Sequence, residues 1–386
     1  MDTMSAASGG NWIEIPGVGL SEPGAIDDAR LGALLGMAVG DALGTTYEFE
    51  RLEQAPYPAL ATGPATDIVG GGPFDLVAGQ VTDDTQMATC IARSLLASPA
   101  APSWFDRLNA LDLATRYVAW YQHAFDVGSQ TSSALGRIES GDPIMAAGRL
   151  TWHASGRHAA GNGSLMRAAP LGVALAGCSI EQLVEGALTD SLLTHADPRC
   201  VLAVAAFDAA IAHAIRASGA SAARGPDVLR ARGEAMLAAG RAALPVAVAR
   251  LRDLWSDDRD DLAAISTAEA DITRDLDAAL AEEPGVYRVE LDVHRTAGFV
   301  RVAFRLAFWH VVRTPWRDAV VDVASRGGDA DTNAAIVGAL VGARDGVSQI
   351  PSAWIERVLG VTQPGPAEWA DAHHPRHLVA LAAALR

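Results

Sequence analysis

The chain has 386 residues, of which 50% are hydrophobic and 20% charged, and it carries a formal net charge of -16. This composition excludes a disordered protein and indicates a soluble globular one, with a length that allows one large core or two domains. The acidic balance excludes binding to a nucleic-acid backbone as the main activity, because that binding depends on clustered cationic side chains.

The cysteines and the N-terminal residues bear on the redox environment and the cellular location of the protein. Cys90, Cys178 and Cys200 are odd in number and lack paired spacing, which argues against a disulfide framework or a cysteine-based zinc site. We therefore expect a reduced, cytoplasmic location. Residues 1–26 lack the basic and apolar regions of a signal peptide, and we predict a flexible tail there before a single domain, 27–386. No run of about 18 apolar residues is present, so no membrane span is expected.

Helical periodicity recurs along the chain and predicts an all-α fold. Strand signals are nearly absent: VYRVELDV, at 286–293, alternates in polarity but fits an extended connector as well as a strand. No chemical motif stands out between 216 and 296, where the composition is typical of solvated helices. The clearest helical segments are 113–125, 199–218, 300–314 and 334–343.

The first polar motif, in residues 31–50, places Asp41 inside an apolar segment of small residues. Gly44 and the threonines after it predict that this helix ends before Glu48, which would then lie on a loop. Asp41 is interpreted either as a buried acid that caps neighbouring amides or as a residue that supports a metal centre. Glu48 on its own is typical of a solvated loop.

The second motif, VTDDTQMATCIARSLL at 81–96, begins with Thr82, Asp83 and Asp84 directly before an apolar helix. In isolation these residues are typical of a helix start, where a threonine caps the first turn and acids complement the helix dipole. A functional interpretation needs a second cluster elsewhere in the chain.

Two glycine-bearing loops and a histidine motif follow. The first loop, at 125–138, contains Gly128. Successive amides at 161–164 could form an anion-binding nest, although Gly-Asn-Gly is also ordinary turn chemistry. His195 and Asp197 precede another apolar helix, and a lone histidine there is more often structural than functional.

The last motif, ASRGGDADTNAAIVGALVGA at 324–343, repeats the arrangement, with Asp329, Asp331 and Thr332 ahead of a strongly apolar helix. Each cluster alone would bury two negative charges at one helix start, which is costly without a counter-charge. The four carboxylates match two divalent cations in charge, and the threonine hydroxyls add neutral oxygen ligands. All-oxygen ligation predicts Mg²⁺ or Mn²⁺ over zinc.

Six motifs, taken in this order, resemble the ADP-ribosylglycohydrolase family, which includes the dinitrogenase-reductase-activating glycohydrolases. The resemblance spans roughly residues 30–360. Each motif is weak by itself, whereas six in one order are very improbable by chance. The motifs are GDALGTTYEF, TDDTQMA, DVGSQTSSAL, GNGSLMRAAPLG, THADP and GGDADTNAAIVGALVGARDG.

The resemblance implies a compact all-α domain with a binuclear Mg²⁺ or Mn²⁺ site at the floor of a cleft. The implied reaction is hydrolysis of the bond between ADP-ribose and an acceptor, such as an arginine of a modified protein. Glu48 matches a catalytic or metal-proximal glutamate on a mobile loop, and Asp83 and Asp331 are further candidate catalytic residues. The implied metal ligands are Thr82, Asp83, Asp84, Asp329, Asp331 and Thr332. The implied ADP-ribose pocket contains Gly128, Gly161, Asn162, Gly163, Ser164 and His195.

Hydrolysis would occur at the anomeric carbon of the distal ribose, with carboxylates stabilising an oxocarbenium-like transition state and cations orienting the ribose hydroxyls. Two alternatives stay open. One is a non-catalytic protein of the same fold that binds ADP-ribosylated targets or confers toxin immunity, and the other is a hydrolase of small ADP-ribosyl metabolites. Retention of all six ligand positions favours an enzyme over the non-catalytic alternative.

Overall fold

The computed structural model describes residues 25–218 and 225–385, and within them the fold is all-α, as predicted. Two short 3₁₀ turns, Thr45–Tyr47 and Val347–Gln349, each follow the end of a helix. In chain order the helices are α1 Ala25–Gly44, α2 Asp83–Ala97, α3 Ala110–Tyr121, α4 Ser129–Glu139, α5 Ile144–Ala154, α6 Ala169–Ala174, α7 Ile180–Thr194, α8 Pro198–Ala217, α9 Pro226–Leu254, α10 Arg259–Ala278, α11 Val300–Val311, α12 Trp316–Ala324, α13 Ala330–Asp345, α14 Ser352–Gly360, α15 Ala367–Ala372 and α16 Arg376–Ala384.

The four periodic segments lie in α3, α8, α11 and α13, and α3 and α11 end a few residues before the pattern does. The alternating segment 286–293 forms no strand; one isolated bridge joins Tyr287 to Asp292. Of the two interpretations of that segment, the extended connector is correct. Alternation without a neighbouring strand to pair with does not make a sheet.

Two buried helices, α1 and α13, contact each other backbone to backbone. A glycine stands at every fourth position of α1, and each faces a glycine or alanine of α13. A Cβ added to Gly36 would lie 2.3 Å from the carbonyl oxygen of Gly338, and real Cβ atoms do not approach that closely. Only small residues therefore allow this packing. The facing pairs are Gly32 with Gly342, Gly36 with Gly338, Gly40 with Ala334, and Gly44 with Ala330.

These pairs run in opposite directions along the two helices, so the C-terminal end of α1 meets the N-terminal end of α13. Asp41 lies on the last turn of α1, and Asp331 lies on the first turn of α13. The predicted end of the first helix is confirmed, since α1 stops at Gly44 and Glu48 follows the 3₁₀ turn. Two of the polar motifs are therefore adjacent in space.

Helix α8 is the one helix among the described residues that is long and apolar enough, by length and composition, to cross a membrane. Within its most apolar window, 83% of the residues are buried inside the protein. It packs against α6, α7, α9, α10 and α13. Apolar residues on every face are what a core helix of a large domain requires.

Two segments that carried no motif take different places in the structure. Residues 1–24 of the predicted tail, 1–26, lie outside the described residues, and its last two residues, Ala25 and Ile26, belong to α1. Within 216–296, α9 packs on α8, and α10 is joined to α11 by Asp275, which pairs with Arg301 (2.7 Å) and Arg305 (2.5 Å). The irregular segment 285–298 then approaches the polar motifs.

Replacing Gly36 by alanine should destabilise the protein, because the new methyl group would collide with the backbone of α13. Overpacking of this kind costs about 1–3 kcal/mol or more in the free energy of unfolding, which urea denaturation measures. Gly136→Ala on α4 is the matched control, since an added Cβ there meets nothing within 4 Å. The control should stabilise by about 0.5–1 kcal/mol through helix propensity. Equal effects of the two substitutions would contradict the close contact.

Candidate metal centre

A buried carboxylate on α1 fixes the start of α2. Asp41 accepts hydrogen bonds from the backbone amides of Thr82 (3.1 Å) and Thr85 (3.2 Å) and from the hydroxyl of Thr85 (2.6 Å). Thr82 stands at the N-cap position, but its own side chain caps no amide. The interpretation of Asp41 as a buried capping acid is confirmed, and capping of α2 by the Thr82 hydroxyl is wrong.

The Thr82 hydroxyl lies among three carboxylates. Its oxygen is 3.0 Å from an oxygen of Asp41, 3.2 Å from one of Asp84 and 3.4 Å from one of Asp331. A hydroxyl has one proton to donate, and the shortest contact directs it to Asp41. The oxygen lone pairs then face Asp84 and Asp331, which is the orientation of a neutral ligand that shares a cation with carboxylates.

The start of α13 contributes the opposite wall of the cluster. The Thr332 hydroxyl lies 3.2 Å from the same Asp84 oxygen that faces Thr82. Asp329 stands at the N-cap position of α13 without capping an amide through its side chain, and it accepts a 2.6 Å hydrogen bond from the Asn162 side chain. The two aspartate motifs, far apart in sequence, therefore converge as the charge-matching argument predicted.

Glu48 joins this cluster from the loop after α1. Its side chain is buried, and carboxylate oxygens of Glu48, Asp329 and Asp331 lie within 4.8 Å of one another. The interpretation of Glu48 as a solvated residue is therefore wrong. Its Oε2 and the Oδ1 of Asp84 are buried without any hydrogen-bond partner. Buried polar atoms are almost always satisfied, so these two oxygens identify places where a cation fits.

The electrostatics support the same conclusion. Burial, followed by the charges of neighbouring carboxylates, raises the pKa of Asp83, Asp84 and Asp331 well above the usual range. Burial and the charge of Asp331 raise the pKa of Glu48 to about 11. The chain contains no lysine, and in the described parts no arginine or histidine forms an ion pair with these acids. The cluster can therefore hold divalent cations, which supply the missing positive charge.

Asp126 is a cluster residue that the sequence analysis did not single out. It lies on the loop before α4, one residue after Phe125, whose ring packs against Phe74 at 5.4 Å between centroids. Burial, followed by the charge of Asp329, raises the pKa of Asp126 to about 7, and the charge of Asp126 in turn raises the pKa of Asp83. Asp126 is only partly buried, so it faces the open side of the cluster. A single Asp before Val-Gly carries no distinguishing pattern.

The second glycine loop packs between His195 and the acidic cluster. Its Gly163 leaves no room for a side chain, because a Cβ there would lie 2.7 Å from the His195 ring. The Gly161 amide donates to the Gln130 side chain (3.0 Å), and the Asn162 amide donates to a backbone carbonyl (2.9 Å). Two of the four amides considered for an anion nest are therefore already used within the protein. Asn162 connects this loop to the cluster through its side chain.

The other residues of the implied pocket have different surroundings. His195 is buried, and desolvation lowers its pKa well below the usual range, so its ring is neutral. Ser164 is fully buried and bonded to Ser191 at 3.0 Å. Gly128 is the N-cap of α4 and is exposed. Contact of these residues with ADP-ribose stays a prediction, and Gly128 has the most accessible position of the three.

A buried arginine that the sequence analysis did not identify supports the turn before Asp329. Arg326 is bonded to Asp322 (2.8 Å) and to the backbone carbonyls of Ala55 (3.1 Å) and Ala59 (2.8 Å). Its guanidinium also stacks on the Tyr57 ring, 3.7 Å from the centroid. These contacts join α12, the loop after α1 and the GGDAD turn into one rigid support.

The motif-free segment 285–298 provides a second support. A Cβ on Gly328 would lie 2.0 Å from the Val293 carbonyl oxygen, so the segment lies directly on the turn. The Gly298 carbonyl accepts the Asn162 amide at 2.9 Å, and a Cβ on Gly298 would lie 3.6 Å from Oδ2 of Asp329. The end of the segment therefore positions two residues of the site, which its composition did not indicate.

Replacing Asp84 by asparagine should raise the thermal stability of the metal-free protein, because it removes a buried acid whose ionisation the neighbouring carboxylates oppose, while keeping the shape of the side chain. The gain expected is about 1–2 kcal/mol. The same substitution should reduce the stabilisation that MgCl₂ or MnCl₂ gives relative to EDTA. Thermal unfolding measures both effects, and Asp257→Asn is the control, since that side chain is 83% exposed. A variant that is less stable in EDTA and equally stabilised by metal would contradict the metal centre.

Comparison with known proteins finds relatives that match most of the chain. The family model for ADP-ribosylglycohydrolase matches residues 22–384. The ADP-ribosylarginine hydrolase Tri1 of Serratia proteamaculans is 28% identical over 358 residues, covering 90% of this chain and 80% of that protein. The ADP-ribosyl-[dinitrogen reductase] glycohydrolase of Rhodospirillum rubrum is 26% identical over 334 residues, covering 86% and 91%.

A solved structure gives the same result for the fold. A chain described as an ADP-ribosylglycohydrolase-related protein complex matches with a TM-score of 0.61 and 26% identity. The match covers 94% of this chain and 98% of that chain. The resemblance inferred from six short motifs is confirmed over nearly the whole sequence. This chain belongs to the ADP-ribosylglycohydrolase family and is a glycosyl hydrolase.

Proposed function

We propose that the protein hydrolyses the N-glycosidic bond between ADP-ribose and an arginine side chain of a modified protein, and so reverses mono-ADP-ribosylation. The observation that carries the proposal is the convergence of Asp84, Asp331 and Glu48 with two threonine hydroxyls and no counter-charge. The choice of arginine rests on Tri1 of Serratia proteamaculans and Tri1 of Pseudomonas putida, both ADP-ribosylarginine hydrolases and each 28% identical to this chain.

The ligand set would hold two Mg²⁺ or Mn²⁺ ions through the six residues of the aspartate and threonine motifs. When bound, such ions act as Lewis acids and as a template for the vicinal ribose hydroxyls. Asp41 keeps the proton of the Thr82 hydroxyl directed away from the cluster, so that the oxygen stays available as a ligand. The Asn162 side chain donates a hydrogen bond to one oxygen of Asp329, and the other oxygen would be the one that binds a cation.

The remaining acids supply proton transfer and charge stabilisation. Glu48 presents an unpaired oxygen in a buried position, where it can hold a proton for the leaving guanidine or accept one from water. Asp126 lies on the accessible side, next to Asp83, and is a second candidate for the water proton. Cleavage at an anomeric carbon develops positive charge on the ribose, which this concentration of carboxylates stabilises.

The first test is release of ADP-ribose from a panel of ADP-ribosyl-arginine, ADP-ribosyl-serine and nucleic-acid-linked substrates, with EDTA, MgCl₂ and MnCl₂ arms. We expect metal-dependent release from the arginine linkage. Asp83→Asn and Asp331→Asn should abolish both metal binding and release, because each removes a ligand from a cluster that needs its full charge. Asp257→Asn should leave both unchanged. Unimpaired turnover by either site variant would falsify the metal-centred mechanism.

A second test separates the two proton-transfer candidates. Glu48→Gln keeps the shape of the side chain and removes its proton exchange, so kcat for ADP-ribose release should fall by about 10²–10⁴. Isothermal titration with Mn²⁺ should show metal affinity largely retained. An equal loss of metal affinity would make Glu48 a ligand, and a larger loss of kcat in Asp126→Asn would transfer the proton role to Asp126.

The alternatives lead to other outcomes of the same panel. A non-catalytic binding or toxin-immunity protein would bind an ADP-ribosylated target and release nothing from any substrate. A hydrolase of small ADP-ribosyl metabolites would release ADP-ribose from the small substrates and leave the modified protein intact. The retained ligand positions and their convergence favour a catalytic protein over a binding protein.

A further inference from the structure

Phe49 directly follows Glu48 and combines two unfavourable features. Its side chain is 68% exposed, so the ring buries little apolar surface. Its backbone φ is +62°, a left-handed conformation that glycine and asparagine adopt readily and that is an outlier for a bulky residue. Neither the exposure of the ring nor the backbone conformation stabilises the fold.

Backbone contacts with the turn before α13 hold Phe49 in this conformation. The Phe49 amide donates to the Gly328 carbonyl at 2.7 Å, and the Gly328 amide donates to the Glu50 carbonyl at 2.8 Å. Asp329 follows Gly328 directly. The position of the aromatic residue is therefore tied to two acids of the metal cluster, Glu48 on its own loop and Asp329 on the facing turn.

An aromatic residue that is strained, exposed and rigidly held beside a catalytic cluster points to recognition. Strain of this kind persists where the surrounding structure enforces it, and it concentrates at functional sites. Aromatic side chains, phenylalanine among them, are also enriched at protein interfaces. A substrate protein has to approach the mouth of the site to within the length of one arginine side chain. Phe49 lies on the surface one residue from Glu48.

We propose that Phe49 is a specificity-determining residue that packs against the polypeptide flanking the modified arginine. It gives the enzyme a preference for an ADP-ribosylated protein over a small ADP-ribosyl compound. The inference rests on the proposed function, because it takes ADP-ribosyl-arginine as the linkage cleaved. ADP-ribose itself does not touch the ring, so binding of the product is independent of Phe49.

The test compares Phe49→Gly and Phe49→Ala with the wild type on two substrates, an arginine-ADP-ribosylated protein and free ADP-ribosyl-arginine. Glycine removes the ring and fits the positive φ, so the fold is retained. We expect kcat/KM for the protein to fall about tenfold, the size of one interface anchor, mainly through KM. Turnover of ADP-ribosyl-arginine and binding of ADP-ribose should stay within about twofold. Leu111→Ala is the matched control, because Leu111 is 64% exposed at the start of α3.

Three results would overturn the inference. An equal loss on both substrates would mean that the ring acts at the reacting guanidine or ribose. An unchanged kcat/KM for the protein, or an equal loss in Leu111→Ala, would mean that the ring recognises nothing. Failure of the proposed function can be distinguished, because it would appear in the wild-type enzyme. If the wild type releases nothing from ADP-ribosyl-arginine, the proposed linkage is wrong and the inference falls with it. If the wild type acts on ADP-ribosyl-arginine but not on the modified protein, only the inference is wrong.

Discussion

The backbone contact between α1 and α13 is the constraint on which the site depends. Facing glycines and alanines let the two helices approach until carbonyl oxygens occupy the space of absent Cβ atoms. At this distance neither helix can rotate or slide without collision, so the register of the pair is fixed. The register in turn places Asp41 and Asp331 at the same end of the pair. Side chains at a catalytic cluster need positions accurate to a fraction of an ångström, and a backbone contact gives that accuracy more directly than packed side chains would.

The helix dipoles at this end of the fold oppose the binding of the predicted cations. Helices α2 and α13 both begin at the cluster, and helix N-termini favour anions. Asp41 removes part of this conflict, because its carboxylate accepts hydrogen bonds from the amides at the start of α2. The anion-binding end of that helix is thus occupied by a residue that is not a predicted metal ligand. Asp83 and Asp84 are thereby released from capping and remain available to metal. The C-terminal end of α1, with its partial negative charge, lies at the same place and favours the cations.

The sequence alone was sufficient for the all-α fold and for the pairing of the two aspartate motifs, since four carboxylates without a counter-charge match two divalent cations and so predict a shared site. It was not sufficient for Asp126, a single acid in a loop without pattern, or for Arg326, whose partners come from three separate segments. The positive φ of Phe49 also leaves no trace in the local sequence, because it results from the contact with Gly328. Residues that act through their neighbours become visible only when those neighbours are known. The glycines at every fourth position of α1 are visible in the sequence, but the sequence does not show that α13 is the helix they face.

Thr82 and Asp331, which share the cluster, are 249 residues apart in the chain. During synthesis at about 5–20 residues per second, the first motif is exposed on the order of ten seconds or more before the second exists. The cluster therefore cannot be complete until α13 has been synthesised. A chain that ends before α13 consequently has only half of the predicted ligand set. A cation bound through both motifs would therefore require α2 and α13 to have come together.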